Sequence, residues 1–219
     1  IRFDVSLPSN IDSDDGISIL LRTSSGTDIG RSFSYPEKWD LQLSYGTSYH
    51  FLLAPASDEG FFVIGDTSTL LKVDSYGNHL WEKTLERPAL ICPIANGGCM
   101  VATDVWGGGC TYETIYVAAY DTRGQLIWEN TVLDYSSITI NKAMVCSDGG
   151  YILTGYVDTG TDCAVWSGFV LKLDTQGKKQ WDTLLGDDYD YHCNDIIETK
   201  NGFDILLPGS IKSLDNQGN

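Results

Sequence analysis

Basic residues are scarce in this sequence. Its 219 residues include 14 Lys and Arg against 30 Asp and Glu, and the formal net charge is −16. A surface of that charge repels phosphate backbones and anionic lipid headgroups, so we expect no nucleic-acid partner and no attraction to membranes. The simplest interpretation is a soluble, self-repelling surface, and the alternative is a set of carboxylates that binds calcium.

Several short patterns that usually mark a particular chemistry are also missing. No Cys-x-x-Cys pair is present, which argues against a zinc ribbon or a thioredoxin-type site. The three histidines have no spacing typical of metal ligands, and no Ser/His/Asp or Cys/His grouping stands out. We therefore assign no catalytic residue, no metal site and no cofactor, with calcium left as the alternative, and predict that the protein is not an enzyme.

Long apolar runs and helical periodicity are absent as well. No stretch approaches the roughly 20 apolar residues that a membrane helix needs, so we expect no membrane insertion. Hydrophobic residues nevertheless make up 42% of the chain, with 23 Gly, 12 Tyr and 6 Trp. That composition predicts a folded domain built from strands and tight turns. The first residue is Ile1, from which we expect a processed form or a fragment of a longer protein.

One eight-residue pattern recurs: Asp, two variable residues, Gly, three variable residues, Trp. In such a turn the Asp carboxylate can accept hydrogen bonds from turn amides, and the Gly can take the positive φ that closes a hairpin. The Trp is expected to cover the joint with a neighbouring sheet. The three full copies comprise Asp74, Gly77 and Trp81; Asp121, Gly124 and Trp128; and Asp174, Gly177 and Trp181, and a fourth begins at Asp215.

A second pattern, Asp or Asn with Gly followed by an apolar run, lies upstream of each copy. It predicts a hairpin turn leading into a buried strand. Each unit then contains four antiparallel strands, and the motif Asp recurs after 47, 53 and 41 residues. Repeats of 40–50 residues with four strands each are typical of propeller blades. We therefore predict an all-β fold, a β-propeller of about four four-stranded antiparallel blades, closed by its terminal strands or part of a larger propeller.

The domain boundaries follow from the same spacing. Residues 1–35 do not fit the repeat and are predicted to be an N-terminal extension with strands. Residues 36–219 hold the propeller repeats. The predicted units are 47–85, 88–133, 138–186 and 190–219, the last of them completed by the Trp39-bearing segment 36–43.

The repeat resembles the quinoprotein-like (PQQ-like) repeats of secreted bacterial and archaeal β-propeller proteins. The resemblance rests on Asp-x-x-Gly-x-x-x-Trp and on the upstream run Gly149-Gly150-Tyr151-Ile152-Leu153. It implies a secreted propeller. Quinoprotein dehydrogenases of that superfamily carry a central cofactor with calcium, and no residue of this chain matches their site.

Long loops between the second and third strands of two units are the candidate binding regions. An aromatic platform of the kind that binds carbohydrate is one interpretation, and loop packing is the other. The acidic connection 187–193 adds two tyrosines. The candidate ligand-binding residues are Trp106, Tyr112, Trp166, Tyr189 and Tyr191.

The six cysteines are candidates for disulfides, and their even number favours an oxidising compartment. Cys110 and Cys163 each lie 11 residues before a motif Asp and could pin the two long loops together, while Cys163 with Cys193 is the other candidate pair. Cys92, Cys99 and Cys146 fall in or beside the first two strands of their units, and the pairing stays open.

These observations predict a non-enzymatic, extracellular or cell-surface scaffold, an adhesion or interaction module that binds a protein, a glycan or itself. One alternative is a fibre subunit that donates residues 1–7 as a strand to another copy. The other is a carbohydrate-binding or quinoprotein-like enzyme domain.

Overall fold

The computed structural model describes residues 52–64, 69–85, 90–105, 113–160, 165–187 and 192–219, all within the compact unit Ser44–Asn219. These residues form fifteen strands and no helix, and hence no helix long and apolar enough to cross a membrane. The strands are β1 (Leu52–Pro55), β2 (Phe61–Ile64), β3 (Thr69–Val73), β4 (His79–Thr84), β5 (Leu90–Pro93), β6 (Cys99–Val105), β7 (Glu113–Tyr120), β8 (Leu126–Tyr135), β9 (Ile138–Val145), β10 (Tyr151–Asp158), β11 (Trp166–Leu173), β12 (Lys179–Asp187), β13 (Asp195–Thr199), β14 (Gly202–Leu207) and β15 (Ser210–Asp215).

The strands form four separate antiparallel sheets in which neighbours in sequence are neighbours in space. Sheet I holds β1–β4, sheet II holds β5–β8, sheet III holds β9–β12 and sheet IV holds β13–β15. The first strands of successive sheets lie side by side, β1 next to β5 and β5 next to β9. This is the arrangement of propeller blades around an axis, and it confirms the predicted all-β propeller with four blades.

Each pair of successive sheets is joined by its own apolar cluster. Phe62 and Leu70 of sheet I pack with Val101 of sheet II. Met100 of sheet II packs in a cluster with Leu153 of sheet III, and Ile152 of sheet III packs in a cluster with Ile205 of sheet IV. Since a middle strand is covered on both faces, its residues are apolar without alternation, as Met100 and Val101 show.

The outer strands follow a different pattern because only one of their faces is covered. In β4 the side chains alternate between exposed and half-buried over most of its length. The half-buried positions include Trp81, and the exposed ones include Leu80 and Glu82. Outer strands therefore show the period of two that a half-buried strand predicts.

The motif Trp of one sheet lies on the motif turn of the next sheet. The Trp81 indole Nε1 donates a hydrogen bond to the Thr122 carbonyl oxygen at 2.9 Å, and Trp181 Nε1 donates to the Asn216 carbonyl at 3.1 Å. The ring has room only because the turn carries Gly: a Cβ at Gly177 would lie 2.2 Å from Cζ3 of Trp128. Gly177 also has a φ of 71°, so both backbone and packing require it.

The motif Asp holds the same turn from within. Oδ1 of Asp174 accepts hydrogen bonds from the amides of Gln176 at 2.8 Å and Lys178 at 2.9 Å. Asp74, Asp121 and Asp215 repeat this pair of contacts in the other sheets. A local carboxylate that satisfies two turn amides explains why Asp is the first residue of each copy.

In sheets I and III, a buried lysine beside the motif turn donates a hydrogen bond to an Asp in the turn between the first two strands. Lys172 is 4% exposed, and its Nζ donates to Asp148 Oδ2 at 2.8 Å. Lys72 is fully buried, and its Nζ donates to Asp58 Oδ1 at 2.6 Å. Sheet II places Ala119 where sheets I and III have Lys. It also places Asn96 where sheets I and III have Asp, so sheet II lacks both the lysine and its carboxylate partner. An unpaired buried charge is costly, which accounts for the joint exchange.

The glycine beneath the Trp ring gives the first prediction. Gly177→Ala should lower the free energy of unfolding by about 2–4 kcal/mol, the sum of a strained positive φ and overpacking against Trp128. Gly209 is a matched control because its φ is 78° but an added Cβ would meet nothing within 4 Å. Gly209→Ala should cost about 1–2 kcal/mol. Chemical denaturation measures both, and equal losses would contradict a packing role for Gly177.

The lysine pair gives the second prediction. Asp148→Asn leaves the buried Lys172 ammonium without its carboxylate and should cost about 2 kcal/mol, below the range for fully buried pairs because Asp148 is half exposed. The double variant Asp148→Asn with Lys172→Ala reproduces the Asn and Ala of sheet II. It should be at least about 1 kcal/mol more stable than the sum of the single variants predicts. Simple additivity in denaturant melts would argue against the coupling.

The pair should also depend on pH. Partial burial opposes ionisation of Asp148, but the hydrogen bonds from Lys172 and from the Gly150 amide, together with the charge of Lys172, outweigh it and lower the pKa of the carboxyl group. A lowered folded-state pKa contributes stability above the unfolded value of about 4 and loses it as the pH falls through the folded value. The stability gap between wild type and Asp148→Asn should therefore narrow below pH 4.

Candidate functional site

Sheet IV ends differently from the other three sheets. In sheets I, II and III the third strand is paired on its outer side with the Trp-bearing strand. The third strand of sheet IV is β15, and its outer side pairs with no strand among the described residues. Ser210, Lys212 and Ser213 along β15 are exposed. An unpaired edge of this kind is a template for another strand.

The face of sheet IV that points away from sheet III exposes three large apolar side chains. Ile197 is 59% exposed, Leu206 is 48% exposed and Ile211 is 70% exposed. Leu206 and Ile211 are directly opposite each other in the β14–β15 register, as Ile64 and Leu70 are in sheet I. Ile64 and Leu70 are buried in the joint with sheet II. We call Ile197, Asp204, Leu206, Ile211 and Ser213 the terminal face.

Polar groups occupy the centre of the terminal face. Asp204 stands where the other sheets place Phe62, Met100 and Ile152, and it lies opposite Ser213. Ser213 Oγ donates a hydrogen bond to Asp204 Oδ1 at 2.6 Å. The pair is satisfied within the sheet, so an open blade face can tolerate it in water, as in the capping repeats of solenoid proteins.

Trp166 is the one predicted ligand-binding residue that the structure describes. It is half-buried at the start of β11, and its ring meets Tyr156 edge-on with centroids 5.4 Å apart. Tyr156 in turn stacks on His192, with centroids 4.1 Å apart and 14° between the planes. The indole therefore belongs to an aromatic cluster that links sheet III to the chain before sheet IV. Trp106, Tyr112, Tyr189 and Tyr191 lie outside the described residues.

Tyr156 and His192 were missed by the sequence reasoning. Tyr156 sits in an apolar strand where it looked like a core residue, and His192 is 36 residues away in a connection between sheets.

Asp158 lies directly opposite Trp166 and is 1% exposed. Its Oδ1 accepts hydrogen bonds from the amides of Gly160 at 2.9 Å and Val165 at 3.2 Å, so it holds the two ends of the loop together.

A small cavity lies where the first strands of sheets I, II and III meet. Leu52, Leu53, Leu90 and Ile91 line it together with β9 residues that include Lys142. Lys142 Nζ is 3.2 Å from Asp195 Oδ1, which ties sheet III to sheet IV. The lining is mostly apolar and offers no nucleophile with an adjacent base.

No group of three or more His, Cys, Asp or Glu able to hold a metal ion occurs in the described ranges. The acidic stretch 12–16 lies outside them. Residues 1–7 and the segment 36–43 also lie outside, so the predicted strand donation and the predicted completion of the last blade stay predictions.

The described cysteines are thiols rather than disulfides. Cys92, Cys99, Cys146 and Cys193 are buried and free, which corrects the disulfide prediction for these four. They lie in the apolar clusters between sheets, where a thiol packs as a small hydrophobic group. Cys110 and Cys163 lie outside the described residues, so their pairing stays a prediction.

Burial makes these thiols unreactive. It raises the pKa of Cys92, Cys99 and Cys146 to about 12 and that of Cys193 to about 11. The thiolate is the reactive form, and at pH 8 almost none is present at such pKa values. We predict that iodoacetamide leaves all four unmodified in the folded protein and modifies all four in guanidinium, as mass mapping would show. Rapid labelling of the native protein at these positions would contradict the burial.

Comparisons with known proteins find solved structures of similar fold. No family model matches the chain, and no curated protein does. A protein of unknown function from Bacteroides caccae is similar in structure over 77% of this chain and 55% of its own, with 11% identity and a TM-score of 0.43. BBS1N, solved in complex with ARL6DN, is similar over 92% of this chain and 59% of its own, with 15% identity and a TM-score of 0.46. The chain thus spans less than two thirds of either, and neither likeness bears on its activity.

Proposed function

We propose that the protein is a non-enzymatic interaction module, a β-propeller scaffold that binds a partner through the terminal face and the β15 edge. The observation that carries this proposal is the exposure of Leu206 and Ile211, whose counterparts in the other three sheets are buried, with Ile197 exposed beside them. A sheet that exposes an unpaired edge and an apolar face can gain both main-chain hydrogen bonds and apolar burial from one partner.

An extracellular or cell-surface location is part of the proposal. It is supported by the net charge of −16 and by the resemblance of the repeats to those of secreted propellers. The four described cysteines add no support, since each is a free thiol. The proposed role is adhesion or assembly at a surface, where a rigid scaffold presents one end to another protein.

The terminal face can be tested with a matched pair of double variants. Leu206→Lys with Ile211→Lys places two charges on the terminal face. Leu126→Lys with Ile127→Lys places two charges on β8, where both residues are 49% exposed. Immobilised wild type would first retain binding proteins from the surface fraction of the source organism. These proteins would be identified and purified, and each would be titrated against all three forms.

We expect the terminal-face variant to bind at least about tenfold more weakly, because charges replace two exposed apolar side chains of the interface, while the β8 variant binds like wild type. Circular dichroism and denaturant melts would show that both variants are folded. Equal affinity for all three forms would overturn the assignment of binding to the terminal face.

A further inference from the structure

We propose that the partner adds an extended strand to the β15 edge and places an arginine opposite Ser213, where its guanidinium pairs with Asp204. The next residue of that strand is acidic, and the one after it is apolar. This inference rests on the proposed role as an interaction module and states the chemistry of its partner.

Sheet IV lacks a cation that sheets I and III hold at the same place. In sheet I, Lys72 lies directly opposite Phe62, and its Nζ lies over the Phe62 ring, 4.9 Å from the centroid. Sheet III has Lys172 at the same position. The corresponding pair in sheet IV is Ser213 opposite Asp204. A carboxylate has replaced the ring and a short hydroxyl side chain has replaced the lysine, so the acid stands beside a position that no longer supplies a cation.

An open groove of about 500 Å³ lies beside this pair. In sheets I and III the lysine amine reaches an Asp in the turn between the first two strands. The turn between β13 and β14 holds Lys200 and Asn201 in place of that Asp. Lys200 is exposed at the rim, and two carboxylates outnumber it. The lining of the groove includes Thr199, Lys200, Asn201, Asp204, Ser213 and Asp215.

Asp204 is the carboxylate of the groove that can take up a cation. It is half-buried, and Ser213 is its one hydrogen-bond partner within the described ranges. Asp215 is engaged already, because its Oδ1 accepts hydrogen bonds from the amides of Gln217 and Asn219. An ionised carboxylate can accept about four hydrogen bonds, so Asp204 retains sites for both arms of a guanidinium.

A side chain of the added strand reaches Asp204 from the position opposite Ser213. In sheet I that position is held by Trp81, which lies opposite Lys72. The Trp81 ring centroid is 5.9 Å from that of Phe62, which holds the position of Asp204. Because the group to be met in sheet IV is a carboxylate rather than a ring, a planar guanidinium matches it better than an indole does.

The neighbours of Ser213 along β15 set the next two residues of the added strand. Lys212 is exposed, and an acid directly opposite it stabilises an antiparallel pair. Ile211 is 70% exposed, and an apolar residue opposite it lies on the same face as the arginine. The strands already present follow the same rule at the first of these positions, since the residue after the motif Trp is acidic in sheets I, II and III: Glu82, Glu129 and Asp182.

Two synthetic peptides of identical composition test this order of residues. The first is acetyl-Thr-Val-Thr-Arg-Glu-Leu-Thr-amide, and the second exchanges its Arg and Glu. Each carries a fluorescent group and is titrated with the full-length protein by anisotropy. Both have the same net charge, so the charge of −16 on the protein does not favour either. We expect the first to bind at least about fivefold more tightly, because the second places its acid beside Asp204 and its base beside Lys212.

Variants of the full-length protein locate the contact. Asp204→Asn should weaken binding of the first peptide roughly five- to tenfold, because a charge-assisted pair is lost. Asp134→Asn is the matched control, since it removes one exposed carboxylate from β8 and the same unit of charge. It should leave the affinity unchanged. The first peptide with Gln in place of Arg should bind wild type and Asp204→Asn equally, which a general loss of structure would not reproduce.

Equal affinity of wild type for the two peptides would overturn the inference. Absence of binding by either peptide at millimolar concentration would also overturn it, because the edge then does not accept a strand or is already paired. The same holds if Asp204→Asn binds the first peptide as tightly as wild type does. Light scattering tests the remaining occupant: wild-type dimers that Asp204→Arg dissociates would assign the face to a second copy and contradict the inference.

Failure of this inference and failure of the proposed function are distinguishable. The proposed function is judged by the effect of Leu206→Lys with Ile211→Lys on a purified partner. If that double variant weakens the partner while the two peptides bind alike, the terminal face is an interaction surface but its partner does not carry the arginine.

Discussion

This architecture depends on one contact: the motif Trp ring of one sheet packs on the Gly of the motif turn in the next sheet. It joins two sheets that share no main-chain ladder, through a hydrogen bond from the indole and through the space that the missing Cβ leaves. The same eight residues close the hairpin within a sheet and accept the ring of the sheet before. Local turn chemistry and long-range packing therefore constrain the same positions, which is why the pattern recurs so regularly.

Comparison among the sheets shows which positions of the repeat are the same in every sheet and which pairs of positions change together. Asp and Gly of the motif turn occur in all four copies, each for its own backbone reason. The buried lysine and its acid vary together, as Lys172 with Asp148 in sheet III and Ala119 with Asn96 in sheet II. Sheet IV departs furthest, with Asp204 and Ser213 at the centre of its outer face. That departure marks it as a sheet whose outer face meets water or a different neighbour.

Much of the fold could be predicted because its signals are local. Turn residues and strand lengths recur at fixed spacing, so the number of sheets and their hairpins follow from residues such as Asp121 and Gly124. Contacts between residues far apart in sequence gave no such signal. The stacking of Tyr156 on His192 joins a strand to a connection, and nothing in either segment indicates it.

The candidate site was harder to predict for a physical reason. Strand alternation tells which side chains share a face but not whether a neighbour covers that face, so Ile211 resembled any other joint residue. The even number of cysteines was misleading in the same way. Cys92 and Cys99 lie in different joints, where burial rather than oxidation accounts for them.

The three apolar clusters each involve only two sheets that follow one another along the chain. A molecule joined in this manner behaves like a row of coupled units, in which each unit is held by the one beside it. Sheet IV has a described neighbour on one side only. Because its other face is exposed, its amide protons are expected to exchange through local opening at a low free energy, and a partner bound there would protect them.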